Sequence, residues 1–298
     1  TLLGKIIPRA VVRGIQLSTG VLLMSEGVKI MLGASKFQIV RQAAEPYLVM
    51  QNLGPIPIGL IIGVLGGIMT LLLLENRRFP AGLFVVLGGF LLGLIFGTHE
   101  GLQKMSLNIN IPKILPFGFP GRVDFTFAFF ALVLPQFPMT IGNAVIAYAD
   151  LSREYFGDDS KKVTYRGACI SMALANFLSS LLGGMPLCHG AGGLAAHYRF
   201  GARTAGSNII IGIIFILLAV LLGDHAINVF YLLPMSALGV LLLFAGSQLA
   251  LTISDMNDRK ALFIALLILG ITLASNLAAG FIAGIAVAYL LKWDKLKI

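Results

Sequence analysis

Long apolar runs separated by short polar segments make up most of the 298-residue chain. A membrane-crossing helix needs about 20 mostly apolar residues, and nine segments are predicted to be such helices. They are Pro8 to Leu32, Ile56 to Leu74, Ala81 to Gly97, Phe125 to Tyr148, Gly167 to Leu182, Ala205 to Gly223, Val229 to Ile253, Ala261 to Ser275 and Leu277 to Leu291. The segment Pro186 to Phe200 is too polar and too glycine-rich to face lipid. It is predicted to be a half-helix or re-entrant segment, which a bilayer tolerates only beside protein or a water-filled cavity.

The composition supports this interpretation and excludes other classes of protein. Hydrophobic residues make up 57% of the chain and charged residues only 12%, whereas soluble domains carry about a quarter charged residues. The two cysteines exclude a disulfide scaffold. The sequence therefore predicts an all-α polytopic membrane protein in contact with membrane lipid.

The net charge of +9 is interpreted as a signal of membrane orientation. Its basic residues are scattered between apolar runs, so no nucleic acid partner is expected. Lys and Arg are concentrated at both chain ends and in the loops Glu75 to Pro80, Asp150 to Arg166, Arg199 to Arg203 and Ser254 to Lys260. By the positive-inside rule these segments are cytoplasmic. The prediction is a multi-pass protein of the cell inner (plasma) membrane with a cytoplasmic C-terminus.

Two segments of the chain resemble each other and predict an internal repeat. IPRAVVRGIQLSTG and LPMSALGVLLLFAG both place Pro at the start of a span, with Pro8 matching Pro234 and Gly20 matching Gly246. An odd number of predicted crossings separates them, so the two copies would have inverted topology, as in many secondary transporters. In this prediction, residues 1–123 hold the last three spans of the first repeat and an extracytoplasmic loop. Residues 124–298 hold the seven segments of the second repeat, and an N-terminally shortened version of a fourteen-segment protein is expected.

The stretch from Gly183 to Arg203 is the first candidate binding site. Its Gly pair and Pro186 would end one helix, and a Gly-Ala-Gly-Gly entry would begin a short one. A helix N-terminus carries free N–H groups and a partial positive charge, so it binds anions. The alternative is that these small residues only allow helices to cross closely. The predicted site residues here are Cys188, His189, Gly190, Ala191, Gly192 and Gly193.

A second predicted break lies around Pro135 and Pro138, because proline removes backbone donors from a helix. Gln136, Thr140 and Asn143 follow at spacings of four and three, which would place them on one helical face. All three can donate hydrogen bonds, as an oxyanion requires. The alternative role is hydrogen bonding between neighbouring helices.

Neither predicted break contains Asp or Glu, so an anion is favoured over a cation or a nucleobase. Glu26 and Lys29, three residues apart, are expected to neutralise each other. No nucleophile–base pair or cluster of metal ligands occurs in the breaks. Catalytic residues, metal ligands and cofactors are therefore not predicted, and the chain is not expected to be an enzyme.

The stretches PQFPMTIGNAVIA and GGMPLCHGAGGLAAHYRFGARTAG resemble the paired signatures of the molybdate transporter family of plants, algae and bacteria. That family is related to the SulP sulfate permease superfamily. The resemblance covers nearly the whole chain. It implies part of a 7+7 inverted-repeat (SulP/nucleobase-transporter-like) fold with a core domain, a gate domain and broken half-helices. The anion would lie between the N-termini of two half-helices, and the motif of the first of these has no counterpart in this sequence.

Together these observations predict an elevator-type secondary transporter of a tetrahedral oxyanion, with molybdate as the first candidate. Sulfate, an organic anion or a nucleobase carried by the same fold remain alternatives, as does a truncated remnant without transport activity. The expected partners are a molybdate or sulfate-like oxyanion and membrane lipid, with a homodimer as one assembly. The coupling ion and the direction of transport are not predicted.

Overall fold

The computed structural model describes residues 7–74, 76, 79–99, 102–133, 136–137 and 140–291, and this part of the chain is mainly helical. Its α-helices are α1 (Arg9–Met31), α2 (Lys36–Arg41), α3 (Ile58–Leu73), α4 (Ala81–Phe96), α5 (Arg122–Phe127), α6 (Tyr148–Phe156), α7 (Tyr165–Leu181), α8 (Ala191–Arg199), α9 (Gly206–Leu222), α10 (Ala226–Phe230), α11 (Met235–Ala250), α12 (Arg259–Ala274) and α13 (Leu277–Leu290). Short 3₁₀ turns are Leu102–Lys104, Gly157–Ser160, Gly223–His225 and Leu251–Asp255. Two π-helical segments, Ala128–Val133 and Thr140–Ala147, lie between α5 and α6. Strands β1 (Asn52–Leu53) and β2 (Ile56–Pro57) pair antiparallel, Asn52 with Pro57 and Leu53 with Ile56.

Three helical stretches in the described residues are long and apolar enough to cross a membrane. They are Arg9–Arg41, Gly206–Phe230 and Met235–Asp255. The helices Ile58–Leu73, Ala81–Phe96 and Leu277–Leu290 are also apolar but shorter. These helices support a membrane protein, and the count of nine spans stays a prediction.

Side-chain oxygens cap several helices at their first turn. The Thr164 hydroxyl accepts the Gly167 N–H at the start of α7 at 3.0 Å, and Asn276 accepts the Ala279 N–H at the start of α13 at 2.9 Å. Such caps satisfy N–H groups that have no partner inside the helix. The cap by Asn276 explains why α13 begins as a separate helix so soon after the end of α12.

The described chain forms two compact units, and helices α1 and α11 each contribute to both. Unit one contains residues up to 22, residues 113–195 and residues from 246 onward. Unit two contains residues 23–112 and 196–245. Each unit thus draws on both predicted repeats, and the boundary at residue 123 stays a prediction.

In unit one, the first half of α1 packs antiparallel on the end of α11. A Cβ atom on Gly20 would lie 2.5 Å from the Gly246 carbonyl oxygen and 2.6 Å from the Ala250 nitrogen. On other faces of α1, a Cβ on Gly14 would lie 3.1 Å from Ala265 of α12, and Val11 contacts Gly284 of α13. The absence of side chains at glycine allows these backbones to approach each other.

In unit two, the second half of α1 makes the corresponding contact with the first half of α11. A Cβ on Gly27 would lie 2.6 Å from the Gly239 carbonyl oxygen. On other faces of α11, Ala237 contacts Gly89 of α4 and Val240 contacts Gly66 of α3, each 3.2 Å from the position of a Cβ. Glycine-mediated packing is typical of helices in membranes, where burial of apolar surface drives association less than in water.

We expect Gly20→Ala to destabilise the protein by about 1–3 kcal/mol, the usual cost of overpacking a close contact. The added methyl group would overlap the backbone of α11. Gly270→Ala in α12 is the matched control, because a Cβ there meets nothing within 4 Å and alanine favours a helix more than glycine does. Thermal unfolding of the purified protein in detergent measures both, and an unchanged midpoint for Gly20→Ala would contradict the packing.

Candidate functional site

The first candidate site lies at a break between α7 and α8. Gly183 follows the end of α7 with a φ angle of +69°, a left-handed conformation that favours glycine. Residues 184–190 are not helical, and α8 begins at Ala191. The predicted segment Pro186 to Phe200 therefore contains a helix of nine residues, Ala191–Arg199, preceded by an extended lead-in.

Asn176 of α7 holds this lead-in by its backbone. Its side-chain oxygen accepts the Leu187 N–H at 2.9 Å, and its amide nitrogen donates to the Leu187 carbonyl at 2.7 Å. The same nitrogen donates to the Met172 carbonyl of its own helix at 2.9 Å. Ser179 adds a bond to the Met185 carbonyl at 2.8 Å. One face of α7 thereby fixes the position from which α8 starts.

His189 is held by two groups from other helices. Its Nε2 lies 2.7 Å from the Ser171 hydroxyl of α7. Its ring stacks on Tyr148, the first residue of α6, with centroids 5.0 Å apart and planes 19° apart. The imidazole is half-buried, so these contacts orient it while leaving part of its surface accessible.

The start of α8 presents backbone donors. Gly193 and Leu194 bond to the Gly190 carbonyl at 3.0 and 3.4 Å, whereas in the described chain the N–H groups of Ala191 and Gly192 have no acceptor. Ala191 is buried, Gly190 and Gly192 are half-buried, and Gly193 is exposed. The arrangement can accept an anion at the helix N-terminus. The neighbouring thiol of Cys188 is exposed.

The second candidate stretch differs from its sequence prediction. Gln136 is exposed and Thr140 is half-buried, whereas Asn143 is buried and only 8% exposed. Thr140 and Asn143 belong to the π-helix Thr140–Ala147. The spacing of four and three places side chains on one face of an α-helix, but a π-helix has a wider turn. The shared face of the three side chains stays a prediction, because Pro135, Pro138 and Met139 lie outside the described residues.

Tyr148 connects the two candidate stretches. The π-helix that carries Asn143 continues directly into α6, and the first residue of α6 is the tyrosine that stacks on His189. Asn143 also has a buried side-chain oxygen with no hydrogen-bond partner among the described residues. A buried polar atom without a partner is unfavourable in a finished core, and such atoms are often found at functional sites.

Sequence reasoning missed Tyr148, Ser171 and Asn176. The sequence does contain a signal, because Ser171, Asn176 and Ser179 are polar residues within an otherwise apolar predicted span. Polar side chains inside membrane helices usually face protein, not lipid. Their partner could not be identified, because the bonds join segments on either side of a break.

A second polar cluster in unit one surrounds Arg13, which is only 6% exposed. Its guanidinium donates to Gln16 at 2.8 Å, to Glu154 at 2.9 Å and to Asp255, which also binds Arg9. A cavity of about 580 Å³ lies beside the cluster. Because the buried guanidinium already has carboxylate partners, this cluster is interpreted as a structural network that connects α1, α6 and the end of α11.

The remaining titratable groups do not suggest a metal site. In the described residues there is no group of three or more His, Cys, Asp or Glu placed to hold a metal ion. Glu26 and Lys29 lie 3.9 Å apart and are about half exposed, which agrees with their expected mutual neutralisation.

Comparisons with known proteins find similarity to one family. Residues 128–249 match the family model described as "Molybdate transporter of MFS superfamily". Molybdate transporter 1 of Arabidopsis thaliana is 29% identical over 97% of this chain and 66% of its own length. Molybdate transporter 2 of the same plant is 38% identical over 57% of this chain and 36% of its own. Molybdate transporter 1 of Chlamydomonas reinhardtii is 34% identical over 70% and 40%.

The chain is similar to the molybdate transporter family. The expected resemblance is thereby confirmed, and the relatives it matches are named as transporters. The description of the matching family model names the MFS superfamily. The relation to sulfate permeases therefore stays a prediction. The matched region contains both candidate stretches and the α7 residues that hold them. The chain spans about two thirds or less of the length of these relatives.

We expect Asn176→Ala to release the lead-in to α8. The Leu187 N–H would lose its acceptor, and a hydrogen bond contributes about 1 kcal/mol, so its exchange with deuterium should accelerate about fivefold to tenfold. Hydrogen exchange followed by mass spectrometry of a peptide covering residues 183–190 is the measurement. Ser180→Ala is the control, because the Ser180 hydroxyl bonds only within its own helix, to Phe177. Equal exchange in both variants would show that Asn176 does not hold the segment.

Proposed function

We propose that the protein is a secondary transporter of a tetrahedral oxyanion, molybdate first, and that the anion binds at the start of α8. The observation that carries the proposal is the break before Ala191, where α7 fixes the lead-in and leaves N–H groups of the helix start without acceptors. This break lies inside the region that matches the molybdate transporter family.

The proposed ligands are neutral donors. A dianion leaving water loses its hydration shell and needs replacement hydrogen bonds. The segment 190–193 supplies them at a positively polarised helix end, above all through the N–H groups of Ala191 and Gly192, since the Gly193 N–H already bonds to Gly190. The imidazole of His189 adds a side-chain donor next to them. Cys188 adjoins His189 on the lead-in and contributes a weak donor.

Thr140, Asn143 and Gln136 are proposed as further donors to the same anion, with unequal support. Asn143 has the strongest case, because it is buried and has an unpartnered atom on the segment that leads to Tyr148. Thr140 is half-buried on the same π-helix. Gln136 is exposed and is the weakest of the three.

The helix contacts inside each unit support the proposed inverted repeat. The spacing that matches Pro8 to Pro234 also matches Val11 to Ala237 and Gly14 to Val240. In unit one, Val11 and Gly14 of α1 contact α13 and α12, the two helices that follow α11 in sequence. In unit two, the matching residues Ala237 and Val240 of α11 contact α4 and α3, which follow α1 in sequence.

Reciprocal contacts of this kind are expected when two copies of one repeat use matching residues. In unit one the matching glycines Gly20 and Gly246 also contact each other. We therefore propose the 7+7 fold for the whole transporter, with residues 1–123 and 124–298 belonging to different repeats. The inner-membrane location, the cytoplasmic C-terminus and a homodimer belong to the same proposal, the orientation resting on the distribution of Lys and Arg.

The test is uptake of radiolabelled molybdate by proteoliposomes containing the full-length protein. His189→Ala and Asn143→Ala should each reduce uptake at low molybdate about tenfold to a hundredfold, because hydrogen bonds to a charged group contribute about 1.5–3 kcal/mol. Thr140→Ala should reduce it less. An excess of unlabelled sulfate should leave uptake unchanged if the site selects molybdate.

Ser207→Ala is the control for these variants, since its hydroxyl is exposed and bonds to Thr204 within the same turn. Uptake at the wild-type level in the His189 and Asn143 variants would exclude the proposed binding site. Equal inhibition by sulfate would instead assign the site to tetrahedral dianions in general.

A further inference from the structure

The carboxylate of Glu45 is buried in unit two, apart from the proposed anion site. Glu45 lies between α2 and β1 and is 0% exposed. Buried glutamate is rare unless it has a partner. The proposed anion site does not use this residue, so its role needs a separate explanation.

Both oxygens of Glu45 bind the start of α11. One accepts the Met235 N–H at 2.8 Å and the other accepts the Ser236 N–H at 2.7 Å. These are the first two residues of the helix, whose N–H groups have no partner within it. The carboxylate therefore caps a membrane-spanning helix from a position 190 residues earlier in the chain.

The surroundings of Glu45 are closely packed. Gln51 brackets its backbone, accepting the Glu45 N–H at 3.0 Å and donating to the Glu45 carbonyl at 2.8 Å. A Cβ on Gly59 of α3 would lie 3.2 Å from Oε1 and 3.0 Å from the Met31 carbonyl. The residue is thus fixed in place, and its carboxylate contacts neutral groups.

No cation pairs with Glu45 in the part of the chain that the structure describes. On α1, Lys29 pairs with Glu26. On α2, Lys36 is exposed, and Arg41 is exposed and lies over the Phe37 ring. The start of α11 and the neighbouring part of α3 carry no titratable side chain. Burial is the largest cause and raises the pKa of Glu45, and the Ser236 side chain and the two backbone N–H groups oppose it only in part.

Asp255 shows how different a carboxylate with cationic partners is. Asp255 lies in the turn after α11. In unit one it binds Arg9 and Arg13 near the start of α1. Its charge is paired with the guanidinium groups of Arg9 and Arg13. Of these two carboxylates, Glu45 has no cationic partner among the described residues and is held by neutral groups at the start of α11, so only Glu45 is suited to gain and lose a proton.

We propose that Glu45 is the proton-binding residue that couples oxyanion transport to protons. A proton from extracytoplasmic water adds to one carboxylate oxygen, and the bond from one N–H at the start of α11 weakens as the negative charge is neutralised. Release of the proton to cytoplasmic water later in the transport cycle restores both bonds. The helix that packs on α1 through Gly27 and Gly239 is thereby released and held in turn.

The energetic reason for coupling lies in the charge of the substrate, and this step rests on the proposed function. Import of a dianion against a membrane potential of 100 mV, negative inside, costs about 2.3 kcal/mol for each charge. Protons that enter with the anion offset part of this cost. The side of the membrane on which Glu45 lies follows from the predicted cytoplasmic excess of Lys and Arg.

The test compares molybdate uptake between external pH 5 and 8 in proteoliposomes containing the full-length protein. Wild-type uptake should rise severalfold on acidification and should be accompanied by proton entry, reported by a pH dye inside the vesicles. Glu45→Gln should abolish both the pH dependence and the proton entry. Glu45→Asp, which keeps a carboxylate, should retain them, and Asp158→Asn, at an exposed carboxylate, should behave as wild type.

A pH profile for Glu45→Gln that parallels the wild type would overturn the coupling role, whatever the absolute rate. Should the glutamine variant fail to fold, the aspartate variant decides, since its pH midpoint should move if this carboxyl titrates. A wild-type protein that does not take up molybdate at any pH would instead contradict the proposed function.

A stability measurement tests proton binding without transport. Because the pKa of Glu45 is raised in the folded state, the folded protein binds this proton more tightly than the unfolded chain. Its contribution to stability is largest at low pH and decreases as the pH rises through and above the ordinary range for glutamate. The thermal midpoint of wild type minus that of Glu45→Gln should fall accordingly, and a constant difference would show that Glu45 does not titrate.

Discussion

The close backbone contact between α1 and α11 is the constraint on which the rest of the structure depends. At Gly20 in unit one, which faces Gly246, and at Gly27 and Gly239 in unit two, no side chain could be added without moving a helix. Because α1 and α11 touch through one face, their remaining faces are free to contact other helices. Helices α12 and α13 pack on α1, and helices α3 and α4 pack on α11. The buried clusters formed around Val11 and Ile15 in unit one and around Ala237 and Val240 in unit two follow from that arrangement.

Much of this arrangement is visible in the sequence, since hydropathy and the matched Pro and Gly positions predict the α1 and α11 spans and their relation. Two features of the structure differ from the spans that hydropathy predicts. The predicted span Val229 to Ile253 is interrupted, because Pro234 cannot donate to the preceding turn and α11 begins only at Met235. The predicted span Phe125 to Tyr148 contains π-helical turns, which hydropathy cannot distinguish from α-helical ones because both bury their backbone bonds.

The candidate site shows the same division between local and tertiary information. Gly183 and the glycines before α8 predict the break and the helix start, because those properties depend on local conformation. The attachment of the lead-in to Asn176 and the stacking of His189 on Tyr148 are tertiary contacts, and no spacing along the chain specifies them. The expected common face of Gln136, Thr140 and Asn143 assumed the turn of an α-helix, whereas Thr140 and Asn143 lie on a π-helix.

The helix starts within this protein indicate what the open start of α8 requires. Oxygen atoms of Thr164, Asp258 and Asn276 occupy the first turns of α7, α12 and α13. At α11 the occupant is the carboxylate of Glu45, with two N–H bonds of 2.7 and 2.8 Å. A buried carboxyl group held by free N–H groups, with no cation paired to it among the described residues, is therefore already part of this structure. A tetrahedral oxyanion on the N–H groups of Ala191 and Gly192 would use the same interaction, with the difference that a dissolved anion can leave.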